Sequence, residues 1–165
     1  MGRFLAFLLG IAGALIGAQA PGFTLQYMQS LQGRVDELTT MVANYDADMS
    51  ANGYTREAAL SECRSSEDLL KAMCGGYDTS VERLDALHQH LAMLEAASDY
   101  VRPLLVARHL DRTIATSVYK QFEPAVPVSV HGAVYAGGGF AVLWGAASFL
   151  FGIIGAMFGG GRRYA

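Results

Sequence analysis

The 165-residue sequence lacks every residue pattern that would identify a chemical reaction. It has no Ser-His-Asp order of the hydrolase type, and its His, Cys and acidic residues do not recur at the spacing of metal ligands. The glycine-rich segments AGGGF and FGGGRRYA follow no predicted strand, whereas a phosphate-binding loop would. We therefore expect a non-enzymatic protein with no catalytic residue, no metal or cofactor, and no nucleic-acid partner.

Cysteine is scarce, because Cys63 and Cys74 are the only two in the chain. An even pair in an oxidising compartment favours a disulfide. On one unbroken helix, however, a separation of eleven residues corresponds to a rise of about 16 Å, whereas bridged Cα atoms lie within about 7 Å. A helix break in the segment SSED, at residues 65–68, would bring the two cysteines closer. The sequence favours two buried thiols, with the disulfide as the alternative.

Two histidines in the segment LHQHL, His88 and His90, could be considered as metal ligands. On a helix, however, residues i and i+2 point about 200° apart, so these two rings cannot share an ion within one chain. We expect both to be solvent-exposed polar positions beside a leucine seam.

Charge is absent from the segment GAVYAGGGFAVLWGAASFLFGIIGAMFG, which runs from Gly132 to Gly159. About 20 apolar residues are enough to cross a bilayer as a helix. The core helix of a small soluble domain is rarely apolar on every side for this length. The sequence therefore predicts a transmembrane helix over residues 132–161, followed by a basic tail at residues 162–165.

The first segment, MGRFLAFLLGIAGALIGAQAPGF, has two interpretations. A basic residue, an apolar run and the triplet Ala18-Gln19-Ala20 are typical of a cleavable signal peptide, which would leave a tail-anchored periplasmic protein. Cleavage after Ala20 would have to cut the bond to Pro21, a tertiary amide. The apolar run is also long enough for a short span. The sequence favours a retained transmembrane helix over residues 1–21.

The charges are distributed unevenly along the chain. All acidic residues lie between Asp36 and Glu123, whereas Arg3, Arg162 and Arg163 flank the two apolar segments on their outer sides. Basic residues next to membrane helices are retained in the cytoplasm. This rule predicts that both termini are cytoplasmic and that the acidic centre is extracytoplasmic, which in a Gram-negative bacterium is the periplasm.

The central residues 22–131 are predicted to be almost entirely helical. Two stretches, residues 28–49 and 84–105, carry apolar residues at alternating spacings of three and four, the heptad pattern of a coiled coil. The main seam residues are Leu31, Val35, Leu38, Val42, Leu84, Leu87, Leu91 and Leu94. Each helix alone would be marginal in water, so we expect the two seams to bury one another in an antiparallel hairpin.

Turn and capping residues divide this central region. Asn52-Gly53 is predicted to end the first helix, and Thr55 to cap a short helix, REAALSECRSSEDLLKAMC, at the tip. Gly75-Gly76 is predicted to end that helix, with a new cap at residues 78–80. After a kink at Pro103, the segment LLVARHLDRTIATSVYKQFEP is predicted to remain helical. The predicted fold is thus an all-α membrane protein in which two transmembrane helices flank an extracytoplasmic, coiled-coil-like antiparallel hairpin with a short helix at its tip.

Small residues recur four positions apart in both predicted spans. Such rows let helix backbones approach closely in lipid, where dispersion and not exclusion of water drives association. The predicted packing residues are Gly10, Gly13, Gly17, Gly145, Gly152 and Ala156. The two spans could pack on each other, or these faces could dock on other membrane proteins or on a second copy. The spans carry more small-residue faces than one mutual contact uses.

Together, the two terminal apolar helices, the acidic helical centre and the segment PGFTLQYMQSLQGRVDEL resemble a proteobacterial membrane-protein family. That family is catalogued as domain of unknown function 2937. The resemblance covers essentially the whole chain and has its most specific part at residues 23–38. It implies a bacterial inner-membrane protein and supplies no catalytic residue.

These observations favour an accessory or scaffolding subunit of an inner-membrane assembly, with membrane lipid and other membrane proteins, or a second copy, as partners. The alternative is a periplasmic ligand-sensing module, since two spans around a helical extracytoplasmic domain are a common sensor layout. The sequence ends a few residues after the second span. We therefore expect any such signal to pass through a separate membrane protein.

Overall fold

The structure is a computed structural model that describes residues 2–124 and 129–158. Every regular element in these ranges is helical, as predicted for an all-α protein. The helices are α1 (Gly2–Ala18), α2 (Ala20–Ala51), α3 (Arg56–Ser65), α4 (Asp68–Ala96), α5 (Arg102–Arg108), α6 (Arg112–Gln121) and α7 (Val130–Phe158). The predicted basic tail, the end of the predicted second span and residues 125–128 lie outside the described residues.

Two helices are long and apolar enough to cross a membrane. One is α7, which reaches a mean hydropathy of 2.0 within Val130–Met157. The other is α1, which continues into α2 to give a helix of 50 residues, Gly2–Ala51, with a mean hydropathy of 1.8 in its most apolar part. By length and composition, the structure therefore contains two candidate spans, the number predicted from the sequence.

α1 and α2 join at Gln19 without a loop. The Gln19 N–H donates to the carbonyl of Ile16 at 3.1 Å, and the Gln19 carbonyl accepts from the N–H of Phe23 at 2.9 Å, so helical bonding continues across the junction. Pro21 lies in the first turn of α2, where a missing N–H is tolerated. The predicted boundary between residues 21 and 22 therefore lies within continuous helix.

The chain forms two compact units. The terminal unit contains the described parts of residues 1–26, 99–104 and 119–165, and therefore includes α1 and α7. The central unit contains residues 27–98 and 105–118, and therefore includes most of α2, all of α3 and α4, and most of α6.

The central unit has an apolar core to which four helices contribute. Most residues of the predicted seams are buried, while Leu38 and Leu84 are half-buried. The buried apolar side chains are Tyr27, Leu31, Val35 and Val42 of α2, Tyr77, Leu87, Leu91 and Leu94 of α4, Val106 of α5, and Ile114, Ala115 and Val118 of α6. The buried residues of α5 and α6 were not among the predicted seam residues, so the core has more helices than the two that the heptad pattern predicts.

The prediction that Gly75-Gly76 ends a helix is wrong, because α4 runs through both glycines. The hydroxyls of Thr79 and Ser80 donate to the carbonyls of Gly75 and Gly76, each at 2.8 Å, and so act as helix-interior groups and not as caps. A glycine inside a helix costs about 1 kcal/mol relative to alanine. Burial of the side chains on the inner face of α4 outweighs this local preference.

The predicted short helix at the tip is divided in two. The end of α2 and the cap of α3 agree with the prediction: Gly53 has a left-handed φ of 81°, and the Thr55 hydroxyl accepts from the N–H of Ala58 at 3.2 Å. α3 then ends at Ser65, and Ser66 and Glu67 adopt extended backbone before α4 begins. The short helix is therefore α3 alone, and its predicted second half is the first part of α4.

The single helix predicted after Pro103 is also divided. α4 ends at Ala96, and the turn that follows leads into the seven-residue α5, with Pro103 in its first turn. The carboxylate of Asp111 then accepts from the N–H groups of Thr113 at 2.9 Å and Ile114 at 3.1 Å, which caps α6. This Asp cap competes with helix continuation and was not recognised in the sequence.

Candidate functional site

The closest helix–helix contact of the terminal unit joins α1 and α7 through glycine. A Cβ atom added to Gly13 would lie closer than 3.0 Å to the carbonyl of Gly139, and one added to Gly139 would collide with the carbonyl of Gly13 in the same way. A Cβ on Gly17 would meet the carbonyl of Tyr135. At these positions backbone packs directly on backbone, an arrangement that only glycine permits.

The same contact continues along α1 towards its start. A Cβ on Gly10 would lie 2.7 Å from the ring of Phe140, and a Cβ on Gly2 would lie 3.2 Å from Cβ of Phe151. The rings of Phe7 and Phe140 meet edge to face, with centroids 5.8 Å apart. Increasing residue numbers in α1 contact decreasing numbers in α7, so the two helices are antiparallel.

The predicted packing residues thus fall into two groups. Gly10, Gly13 and Gly17 lie in the contact between α1 and α7. A Cβ added to Gly145 or Gly152 would have no described atom within 4 Å, and Ala156 is exposed, so this second group lies outside the close contact with α1. Gly139 was not singled out in the sequence. The signal was the run AGGGF, which an antiparallel alignment of the spans sets opposite Gly13-x-x-x-Gly17.

A groove of about 430 Å³ lies beside this contact, near the start of α1. It is lined by Gly2, Arg3, Trp144, Ser148, Phe151 and Gly152. Of these six residues, Arg3 carries a charge and Ser148 a hydroxyl. This lining offers no arrangement for acid–base or nucleophilic chemistry.

The first polar cluster of the central unit joins α2, α3 and α4 around Asp46. Nε of Arg56 donates to Oδ1 of Asp46 at 2.9 Å, and Nη2 of Arg56 pairs with Oδ2. The Tyr77 hydroxyl donates to the same Oδ1 at 2.6 Å, and the Tyr45 ring lies edge to face on the Tyr77 ring at 5.2 Å. The cluster therefore holds the end of α2 against α3 and α4.

The surroundings of Asp46 and Tyr77 in this cluster move the pKa values of both groups further from neutral pH. Hydrogen bonds from Arg56, and then from Tyr77, hold the pKa of Asp46 below its usual value. Burial, together with the hydrogen bond to Asp46, raises the pKa of Tyr77 to about 12. Neither group changes its charge near neutral pH, so neither is suited to general acid–base catalysis.

The disulfide lies next to this cluster in the sequence. Cys63 and Cys74 are bonded, with Cα atoms 5.9 Å apart, so the sequence-favoured interpretation of two buried thiols is not what the structure contains. The break between α3 and α4 is the reason, because it removes the helical rise that would separate the two residues. The bond closes a short loop and fastens α3 to α4.

The second polar cluster lies deeper in the central unit, where α2, α4 and the start of α6 meet. The backbone N–H of Asp111 donates to the hydroxyl of the fully buried Tyr27 at 2.9 Å, and Nη2 of Arg83 pairs with Oδ2 of Asp111. Burial raises the pKa of Asp111, but hydrogen bonds from the Ile114 N–H and from Arg83 outweigh it, so the pKa lies below its usual value. Burial raises the pKa of Tyr27.

His90 borders this second cluster and is not the solvent-exposed residue that the sequence predicts. Its ring lies 5.8 Å from the ring of Tyr27, centroid to centroid, and its Nε2 atom is buried with no hydrogen-bond partner among the described residues. Burial, and then the charge of His109, lower the pKa of His90. His88 is exposed. Within residues 2–124 and 129–158, no group of three or more His, Cys, Asp and Glu residues is arranged to hold a metal ion.

The family of this chain is identified by comparison with known proteins. The model of the family described as protein of unknown function (DUF2937) matches residues 1–160. No curated protein and no solved structure shows significant similarity to the chain. Since the match covers nearly the full sequence, the chain belongs to the DUF2937 family of proteins of unknown function.

Proposed function

We propose that this protein is a non-enzymatic, two-span protein of the bacterial inner membrane, an accessory or scaffolding subunit of a membrane assembly. The observation that carries the proposal is the division of the small residues of the spans. The predicted packing glycines of α1 are in close contact with α7, whereas Gly145 and Gly152 of α7 have no described atom close to the position of an added Cβ. A helix from another subunit, or from a second copy, can pack on this open face.

The proposed topology has both termini in the cytoplasm and the central unit in the periplasm. The antiparallel contact of α1 and α7 supports it, because antiparallel neighbours that each cross once return the chain to the starting side. The charge pattern supports the same orientation, since the acidic residues all lie between the two spans. The disulfide between Cys63 and Cys74 fits an oxidising compartment.

We further propose that α2 and α4 form the antiparallel, coiled-coil-like hairpin of the periplasmic domain. Two ring contacts support this arrangement: Tyr27, early in α2, lies against His90, late in α4, whereas Tyr45, late in α2, lies against Tyr77, early in α4. The buried seam residues Leu31, Val35, Val42 and Leu87 lie between these two contacts, and Leu91 and Leu94 follow His90. The hairpin offers its solvent-exposed faces to a periplasmic part of the same assembly.

The open face of α7 provides the test. Gly145→Leu combined with Gly152→Leu adds two side chains at positions of α7 where a Cβ atom meets no described atom within 4 Å. The matched control is Ala146→Leu, which adds a similar side chain at an exposed position outside the row of small residues. Blue-native gels and crosslinking in mildly solubilised native membranes measure the assembly.

We expect the double variant to lose the high-mass species, because leucine side chains prevent close backbone approach in lipid. The control variant keeps it. A wild-type protein that migrates only as a monomer, with no partner in a native pull-down, would contradict the proposal.

A second candidate function is a periplasmic ligand-sensing module that signals through a partner membrane protein. The unpaired, buried Nε2 of His90 favours it, because a buried polar atom without a partner is unusual in a core with only a structural role. A thermal-shift screen of the full-length protein tests it, since a ligand that binds the folded state raises Tm by mass action. A shift that is lost in His90→Phe would support sensing, and a screen without any shift would leave the scaffolding function as the account of the central unit.

A further inference from the structure

We propose that the segment Asp99–Leu104 is a membrane-interface element, in which the exposed side chains of Tyr100, Val101 and Leu104 insert among lipid headgroups and the upper acyl chains. Its partner is therefore a lipid surface. The inference rests on the proposed crossing of the bilayer by α1 and α7, and it adds a third contact with the membrane that does not span it.

The segment is fastened to the first two turns of α7. The Tyr135 hydroxyl donates a hydrogen bond of 2.6 Å to the backbone carbonyl of Tyr100. The rings of Tyr100 and His131 meet edge to face, with centroids 4.4 Å apart. A Cβ on Gly17, near the end of α1, would collide with the carbonyl of the same Tyr135. The segment therefore lies beside the start of α7 and the end of the apolar run of α1, the level at which the hydrocarbon core of a bilayer crossed by both helices would give way to headgroups.

The apolar side chains of the segment are exposed, as are several other apolar groups of the terminal unit. Leu104 is 62% exposed, Val101 45% and Tyr119 77%. Val130 and Val134, at the start of α7, are also exposed. Single exposed apolar residues are ordinary on a protein surface, but this patch lies beside a candidate span, because Tyr100 contacts both His131 and Tyr135 of α7. A bilayer that surrounds α7 reaches this patch whether or not a protein partner is present.

The charges of the segment are arranged to suit such a position. Nη1 of Arg102 donates to Oδ1 of Asp99 at 2.7 Å, and Oδ2 of Asp99 lies 4.0 Å from Nε2 of His131. Pairing lowers the cost of moving a carboxylate towards a region of lower dielectric constant. The long stem of Arg102 can lie along apolar surface while its guanidinium stays at phosphate level. Tyrosine is itself enriched at the membrane interface, because its ring is apolar and its hydroxyl is polar.

The experiment measures tryptophan fluorescence of the full-length protein in phosphatidylcholine–phosphatidylglycerol vesicles. Trp144 is the only tryptophan, so Trp144→Phe gives a silent background for single reporters at Leu104→Trp and, independently, at Val101→Trp. The matched control is Tyr54→Trp, an exposed aromatic position between α2 and α3 of the central unit. Brominated lipids report contact with acyl chains, and acrylamide reports contact with water.

We expect lipids brominated close to the glycerol to reduce the emission of both segment reporters by about twofold or more, as for an inserted interfacial side chain, with weak acrylamide quenching. The Tyr54→Trp control is quenched by acrylamide and not by brominated lipid. Segment reporters that behave like this control would overturn the proposal. Shielding from acrylamide in native membranes but not in vesicles would also overturn it, since the occupant would then be a protein.

A measurement on the wild-type protein distinguishes failure of the interface element from failure of the proposed two-span topology. Trp144 lies within α7 and is quenched by lipids brominated deep in the acyl chain if α7 crosses the bilayer. Quenched Trp144 with unquenched segment reporters would refute the interface element alone. Unquenched Trp144 would refute the two-span membrane protein, and the interface element with it.

Discussion

Glycine has opposite consequences in the two units of this protein. In the terminal unit, Gly13 and Gly139 lie in direct backbone contact, and neither site has room for a single additional carbon atom. In the central unit, Gly75 and Gly76 lie within α4, where an added Cβ atom would meet no described atom within 4 Å. The residue type is the same, but in one unit it is a requirement of packing and in the other it is a local weakness.

The stabilising interactions of the two units differ in the same way. The contact of α1 with α7 contains backbone, small residues and aromatic rings. This is expected in lipid, where close packing and not exclusion of water drives helix association. The central unit has an apolar core, ion pairs and a disulfide, which are the interactions of a small domain in water. The difference is the one expected if, as proposed, lipid surrounds the terminal unit and water the central unit.

The largest effect is expected from Gly139→Leu. The leucine side chain would have to displace the backbone of α1, so we expect destabilisation of about 3 kcal/mol or more, at the upper end of the range for overpacking. Thermal unfolding in detergent, followed by Trp144 fluorescence, measures it. The control Ala146→Leu adds a leucine at an exposed position of α7 outside both the contact with α1 and the row of small residues, and it should leave Tm nearly unchanged. Equal effects of the two substitutions would show that α1 and α7 do not pack as described.

The next effect is expected from removing the disulfide. The double substitution Cys63→Ala and Cys74→Ala removes a cross-link between residues eleven positions apart. From the entropy of closing such a loop in the unfolded chain, we expect the free energy of unfolding to decrease by about 2–3 kcal/mol. Circular dichroism of the full-length protein, with and without reductant, measures the loss. Wild-type protein under reductant should behave like the double variant, and the double variant itself should be insensitive to reductant. If neither the double substitution nor reductant lowered the stability of the central unit, the disulfide would not have the stabilising role described here.

A smaller effect of opposite sign is expected in α4. The substitutions Gly75→Ala and Gly76→Ala should stabilise the central unit by about 0.5–1 kcal/mol each, because alanine fits the helical backbone and loses less entropy on folding. Chemical denaturation measures the gain. Destabilisation would mean that these glycines accommodate a neighbour and are not merely tolerated.

The smallest effect is a pH dependence of the central unit through His90. Because burial lowers the pKa of His90 in the folded state, its contribution to stability is present above the unfolded pKa of about 6.5 and is lost as pH falls through the lower folded pKa. His109 and Arg83 oppose protonation, whereas Asp111 favours it. Denaturant midpoints measured between neutral and mildly acidic pH should decrease for the wild type. The midpoints of His90→Gln should depend less on pH. If the midpoints of this variant decreased with falling pH as much as those of the wild type, the role of His90 would be refuted.

The sequence predicted the elements that depend on composition and on regular spacing. The absence of charge identified two candidate spans, and the heptad pattern identified side chains that are buried in the central unit. Thr55 and Gly53 act as predicted because a cap and a left-handed turn are set by neighbouring residues. These features need no knowledge of distant contacts.

Other features could not be predicted because they depend on the tertiary structure. The helix through Gly75 forms because packing of α4 outweighs a local cost, and the start of α6 is set by Asp111, which also contacts Tyr27 and Arg83 from distant parts of the chain. The pairing of Gly139 with Gly13 required the alignment of two helices far apart in sequence. The burial of His90 depended on the same kind of non-local contact.

Labelling of single cysteines in spheroplasts is the most direct test that lipid surrounds one unit and water the other. The native cysteines are bonded to each other, so cysteines introduced by Tyr54→Cys and Ala165→Cys can be reported by a membrane-impermeant maleimide. The account predicts that Tyr54→Cys is labelled in intact spheroplasts and that Ala165→Cys is labelled only after permeabilisation. Labelling of both positions before permeabilisation, or of Tyr54→Cys only afterwards, would contradict it.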